Sequence, residues 1–292
     1  MLKSVWIKSS PEIKRCLPAV LFCLLFLFFS CSAKIKSIHE IENDDISEYT
    51  AELIEEKIDE TLITRLSDAL ANSKLPRDLF GEINNNIFYN SDFISELQMI
   101  LFQDRYLWIL VDKEHPLGEN YEPDDLVVLK GGLYVLNNTE VLMLRRAASD
   151  SLDEMAAAAG SEGVTLLVSY AYRSYTRQIQ SYTLHLRNVG QREADRVSAR
   201  PGYSQHQLGL TIDFDSVTNV FAGTKQGIWL NKNASRFGWS LSYPHGYEGV
   251  TGYSWESWHY RYVGTELAAF IDKYFNGIQQ YALRFIHEFT SL

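Results

Sequence analysis

The run Pro201-Gly-Tyr-Ser-Gln-His-Gln-Leu-Gly-Leu-Thr-Ile-Asp213 constrains this chain more than any other stretch. Gly209 frees the backbone and Leu210-Thr211-Ile212 favours a pleated, extended conformation, so the run reads as a loop feeding a buried strand. His206 stands in the loop and Asp213 on the strand, where an imidazole and a carboxylate can converge on one point. Further along, Tyr253-Ser-Trp-Glu-Ser-Trp-His259 sets Glu256 and His259 three apart, which brings both side chains to one side of a turn. His206, Asp213 and His259 make three protein ligands and leave a fourth position for water, the arrangement of a catalytic zinc rather than a structural one. Glu256 is then the base that takes a proton from that water. Taken singly, each piece recurs by chance and more often serves packing or the surface. Their order, and the glycine and tryptophans that flank them, carry the reading.

Two further groups compete for a place in the set. Asp215 alternates with Asp213 and is expected on the same strand face, which makes it the nearest rival ligand. His245 sits in a Pro-His-Gly turn and is expected in solvent. Trp255 and Trp258 flank Glu256, and aromatic walls of this sort exclude water and raise a carboxylate's pKa; core packing is the other use for them.

The chain resembles the D-alanyl-D-alanine carboxypeptidases of the VanY type, members of the LAS metallopeptidases. The similarity runs from about Leu110 to Phe270. It is carried by Leu110-Val-Asp-Lys-Glu-His-Pro-Leu117, Tyr121-Glu-Pro-Asp-Asp-Leu126, Tyr172-Arg-Ser-Tyr175 with Gln178, the Pro201–Asp213 run, Asn233-Ala234, Phe237-Gly238, Tyr243-Pro244, Thr251-Gly-Tyr253 and Glu256-Ser-Trp-His-Tyr-Arg-Tyr-Val-Gly264. The resemblance implies that His206, Asp213 and His259 hold zinc and that Glu256 takes a proton from water and returns it to the leaving amine. It implies that Arg173, always charged and forked, faces the substrate and stabilises the oxyanion or holds the peptide. Ser174 and Gln178 match positions that shape the substrate pocket, and the Ser204 hydroxyl binds substrate or supports its loop. The bond implied is the terminal D-Ala–D-Ala amide of peptidoglycan stem peptides. Tyr170, Ala171 and Ser257 depart from the family's usual serine, glycine and proline; none is a proposed ligand, so the departures bear on substrate detail.

All three cysteines, Cys16, Cys23 and Cys31, fall near the start, so the body has no disulfide, no thiolate metal site and no cysteine nucleophile. That leaves histidine and carboxylate for any metal. The net charge of -10 repels phosphate backbones and excludes nucleic acid as a natural partner. Met1 to Arg15 is basic and Leu17 to Phe29 almost continuously apolar, shorter than the roughly 20 residues of a membrane-spanning helix. With Ser30-Cys31-Ser32-Ala33 behind it, this is the layout of an export signal, and Cys31 resembles the lipidated cysteine of bacterial lipoproteins. Cleavage near Ala33 and an uncleaved anchor are the other readings. Each takes the enzyme out of the cytoplasm, and the lipidated form anchors it in the bacterial cell envelope (periplasm).

The expected organisation is an export signal with a lipobox-like cysteine (1–31), a tether and helical extension (32–105), the metallopeptidase domain (106–275) and a helical tail (276–292). The expected fold is α+β: a small, mainly antiparallel sheet flanked by helices, with the zinc site at one end of the sheet. Helices are expected over about 46–70, 93–102, 138–160, 176–188, 224–237, 264–274 and 279–292. Strands are expected at 106–111, 134–136, 164–169, 210–217 and 237–244, with a loop over Gly190–Arg200. Two rivals to the carboxypeptidase reading share its residues: an L,D-carboxypeptidase or peptidoglycan endopeptidase with the same zinc site, and a non-catalytic cell-wall-binding lipoprotein. A binding module has no need of Glu256, which weighs against the last.

Overall fold

The centre of the structure is a strand with no exposed residue, Thr211–Phe214, whose β-branched and aromatic side chains fit a sheet covered on both faces. In this computed structural model, which describes residues 48–291 with side chains from Glu60 onward, that strand is β5 of seven. The others are β1 (Leu126–Val128), β2 (Val135–Leu136), β3 (Met143–Arg145), β4 (Leu167–Tyr170), β6 (Trp239–Leu241) and β7 (His259–Tyr262). β1 and β3 form an antiparallel ribbon, and the main sheet has the order β2-β4-β5-β7-β6. Only β2–β4 is parallel; β4–β5, β5–β7 and β6–β7 are antiparallel. The segments read from sequence as an export signal, Cys31 included, and as a tether lie outside the described residues.

The helices are α1 (Glu48–Asn72), α2 (Arg77–Tyr89), α3 (Ser91–Leu101), the single turn α4 (Arg105–Trp108), α5 (Arg146–Ser161), α6 (Tyr175–Val197), α7 (Lys225–Asn233), the turn α8 (Glu248–Thr251), α9 (Thr265–Tyr274) and α10 (Gln279–Ser291). This is the expected α+β arrangement. α5 lays Ala148, Leu152, Met155, Ala156 and Ala159 on the core, the small-residue face anticipated from sequence. Their partners in that core include Val168, Ile212, Phe214, Trp229 and Trp239.

A second core is helical. Leu66, Ile83, Phe93 and Leu97 of the N-terminal helices join Leu267, Phe270 and Ile271 of α9 and Leu283, Phe285 and Ile286 of α10. The extension and the tail therefore share one apolar cluster with the last helix of the expected metallopeptidase segment.

Four sequence expectations are corrected. Residues 106–111 form no strand, because Arg261 Nη2 takes the carbonyls of Leu107 (3.0 Å) and Ile109 (2.9 Å), which a neighbouring strand would otherwise need. The helix expected from Asn138 starts at Arg146: the Asn138 side chain closes a local turn by accepting from Glu140 N, and 143–145 pair with 126–128. The segment from Gly190 is helical to Val197, and the break is confined to Gly190 at φ 75°. Finally, β5 ends at Phe214, because Asp215 turns into the left-handed region at φ 50°.

Phe93 is fully buried, with ring centroids 5.1 Å from Phe270, 4.9 Å from Tyr274 and 5.9 Å from Phe285. Phe93→Ala should cost about 3–5 kcal/mol in urea unfolding. A loss under about 1 kcal/mol would mean the helical core does not bear on the stability of the fold.

Candidate metal centre and cleft

The Pro201–Asp213 run is built by backbone turns. Gly202 adopts φ +89°, and a Cβ there would lie 3.0 Å from the Leu117 carbonyl, so the turn requires glycine. Leu117 N donates to Gly202 O at 2.7 Å, joining the 113–125 loop to the run. The Ser204 hydroxyl accepts from His206 N at 3.3 Å and so caps a 3-10 turn, Gln205–Leu208, that raises His206 above the sheet. Gly209, at φ 70°, ends the turn and delivers the chain into β5. Asp213 then lies directly opposite His259 in the β5–β7 register, and paired residues of an antiparallel ladder point to the same face.

These elements bring His206, Asp213 and His259 together, all buried, with one ligand atom from each lying within 4.8 Å of the others. His206 Nε2 is 3.2 Å from Asp213 Oδ2, and His259 Nδ1 is 3.0 Å from Asp213 Oδ1. The outer nitrogens are spoken for. His206 Nδ1 lies 2.7 Å from the Ala171 carbonyl, which can only accept, so the proton sits on Nδ1 and the Nε2 lone pair faces inward. His259 Nε2 lies 3.2 Å from Gln205 Oε1, which leaves Nδ1 facing inward.

Two imidazole lone pairs aimed at a carboxylate repel unless a cation lies between them. Asp213 Oδ1 fits that need: it is buried and accepts no hydrogen bond despite its nearness to His259. The donor set, two nitrogens and a carboxylate, suits a divalent transition metal. Burial pushes His206 down to about 4, against the pull of the Asp213 carboxylate and with the help of the Arg173 charge, so the ring is a neutral ligand at pH 7.

Glu256 stands beside the cluster, its Oε2 3.4 Å from His259 Nδ1. Burial, then the Asp213 charge, push its carboxyl well above the ordinary range, while Arg173 pulls it back. A carboxyl so placed holds a proton more readily than an exposed one, as a general base must. Arg173 lines the same cleft, its backbone N–H on the His206 carbonyl at 3.1 Å and its Nη1 on Gln178 Oε1 at 3.1 Å.

The other expected residues are placed as follows. Ser204 lines the cleft beside His206. Ser174 and Gln178 do not line it. The Ser174 hydroxyl caps α6 by accepting from Arg177 N, and buried Gln178 holds Arg173 and donates to Ala199 O at 2.6 Å. They shape the cleft from behind. Asp215, expected on the Asp213 face, is carried away by its left-handed backbone. His245 is exposed at the cleft mouth as expected, with its ring edge-on to Trp255 at 4.9 Å. The cleft encloses about 1040 Å³ and runs from the histidine pair along α6 past Arg177, Ser181 and Leu184 to Glu248 and Trp255.

A family model described as D-alanyl-D-alanine carboxypeptidase (VanY) matches residues 141–265. The Bacillus subtilis protein YodJ is 37% identical over 168 residues, covering 56% of this chain and 62% of YodJ. Among solved structures, the LdcB LD-carboxypeptidase is 34% identical with a TM-score of 0.52, covering 58% of this chain and 85% of LdcB. The vancomycin-resistance D,D-pentapeptidase VanY of the VanB-type cassette, crystallised with Zn(II), is 30% identical with a TM-score of 0.50 and covers 59% of this chain and 96% of that one. The chain belongs to the VanY family. It spans about six-tenths of the length of its curated relative YodJ.

Two residues packed against the histidines of this VanY-family protein are not singled out by the sequence. Tyr243 lies buried with its ring 4.7 Å from the His259 ring, and burial pushes its hydroxyl well above the usual range. Its carbonyl accepts from Glu256 N at 3.0 Å, so it also sets the Glu256 backbone. The Tyr243-Pro244 pair belongs to the motif and to the expected strand 237–244; the contact of its ring with His259 is what the tertiary structure adds. Gln205 is the other: it stands beside His206 in the run, but its side chain faces His259.

His206→Ala should purify without the divalent metal that the unaltered protein carries, as read by elemental mass spectrometry. Equal metal content in the two would remove His206 from the ligand set.

Proposed function

We propose that this VanY-family protein is a zinc-dependent D-alanyl-D-alanine carboxypeptidase that removes the terminal D-Ala from peptidoglycan stem peptides. The observation that carries the reading is the buried cluster in which His206 Nε2, His259 Nδ1 and the Asp213 carboxylate face one point, with Glu256 beside it. His206, Asp213 and His259 would hold the zinc. When bound, zinc supplies Lewis acidity, which makes water a nucleophile at neutral pH and polarises the scissile carbonyl.

The protein's own residues do the rest. Glu256, its proton affinity raised by burial, takes the proton from the attacking water and gives it to the leaving amine. Arg173, held by Gln178, turns its guanidinium into the cleft to stabilise the oxyanion or to grip the substrate carboxylate. The Ser204 hydroxyl accepts from His206 N and keeps its own proton to donate to substrate. Ser174 and Gln178 act on the substrate indirectly, through the position of Arg173 and α6. The relatives named for D,D-cleavage and for Zn(II) support this reading. The likeness to LdcB supports a second one, in which the same machinery trims a tetrapeptide as an L,D-carboxypeptidase.

The proposal includes export. The basic start, the apolar Leu17–Phe29 and Cys31 support a lipoprotein anchored at the cell envelope, where peptidoglycan is the neighbouring polymer. Lipidation is read directly by the mass of the mature N-terminus.

The deciding experiment is mass spectrometry of the products from a stem pentapeptide and its tetrapeptide, with and without a zinc chelator. Zinc-dependent loss of one alanine from the pentapeptide alone is expected. Trimming of the tetrapeptide instead moves the assignment to the L,D activity, and no cleavage of either by the zinc-loaded protein refutes the carboxypeptidase reading. Glu256→Gln should keep its zinc and lose turnover by about 10²–10⁴-fold. Wild-type turnover in that variant would remove Glu256 from the mechanism.

A further inference from the structure

Gln279 is the first residue of α10, outside the residues 141–265 that the family model matches, and its side chain is buried. Its Nε2 donates to the backbone carbonyl of Ser240 on β6 at 3.3 Å. A carbonyl only accepts, so this contact fixes which end of the Gln279 amide is the donor. The Oε1 at the other end meets Gln205 Nε2 at 3.5 Å and Ser242 Oγ at 3.4 Å. With its Nε2 committed as donor, Gln205 is left with Oε1 to accept, from Ser242 Oγ at 2.7 Å and from His259 Nε2 at 3.2 Å. The polarity set at one backbone carbonyl is thus relayed through two amides to an imidazole nitrogen.

We propose that Gln279 is a positioning residue of the metal centre: it orients the Gln205 amide and so holds His259 in the tautomer that binds metal through Nδ1. Turned end for end, Gln205 would offer an N–H to His259 Nε2, move the ring proton to Nδ1 and close that ligand to metal. Gln205, Ser240, Ser242, His259 and Gln279 are all buried, so the order of donors is not scrambled by exchange with bulk water. The inference rests on reading the His206–Asp213–His259 cluster as a zinc centre. It gives the C-terminal helix a role in metal binding.

Gln279→Met keeps the side-chain length and removes both polar ends. The zinc dissociation constant, measured by chelator competition, should rise about 10–100-fold while the protein still unfolds cooperatively. Adding Gln205→Glu to that variant should restore most of the affinity, because both carboxylate oxygens accept and no amide needs orienting. Loss of packing alone would not be rescued this way. By NMR of the zinc-loaded protein, the His259 Nε2–H proton should exchange slowly in wild type, quickly in Gln279→Met and slowly again in the double variant. A folded Gln279→Met protein with wild-type zinc affinity and an unchanged Nε2–H resonance overturns the proposal. Should Gln279→Met fail to fold, the wild-type protein decides. A scalar coupling from His259 Nε2 to the Gln205 side-chain carbonyl carbon supports the relay, and its absence overturns it. Wild-type protein that binds no zinc overturns the zinc reading itself, and the relay with it.

Discussion

The register of β5 against β7 sets Asp213 opposite His259, and the centre depends on that pairing more than on any other contact. Side chains alternate along a strand, so a slip of one residue would turn Asp213 toward the core and bring Ile212 or Phe214 to the metal face. The slip is blocked by what lies on the other side of the sheet. Ile212 and Phe214 are fully buried in the apolar core, with the Phe214 ring edge-on to Tyr260 at 5.8 Å. The same hydrophobic burial that holds the sheet together therefore aims the ligands. His206 needs a separate device, the 3-10 turn bounded by Ser204 and Gly209, because it does not lie on the strand.

A carboxylate and two imidazoles are buried within a few ångströms of one another, with the partly buried Glu256 beside them, at a position where unpaired charge is costly. The surrounding polar groups hold each ring by its outer nitrogen and leave the inner atoms to face each other. Ala171 O does this for His206 and Gln205 for His259. A fold that commits buried amides and carbonyls to ring orientation presents its inner ligand atoms to a cation.

The centre was legible in the sequence because its spacings belong to local structure. A loop-to-strand run separates His206 from Asp213, and a turn joins Glu256 to His259, so short-range rules reach each half, while the family resemblance joins the halves and prefers Asp213 to Asp215. Asp215 shows where such rules stop: alternation put it beside Asp213, but its φ of 50° ends the strand. The run 106–111 has strand-like residues, yet the guanidinium of Arg261, distant in sequence, takes its carbonyls. Gly190 read as the start of a loop, although a single glycine can kink a helix and let it continue. Gln279 carries no motif at all. Its part in the network follows from α10 packing against β6, a tertiary fact that composition and periodicity do not encode.

The most direct test of this account is anomalous diffraction at the zinc edge from crystals of the zinc-loaded protein. The account predicts one strong peak about 2.0–2.2 Å from His206 Nε2, His259 Nδ1 and an Asp213 carboxylate oxygen, with Glu256 close by but not bound to it. A peak bound by other residues, or His259 turned to coordinate through Nε2, would contradict it.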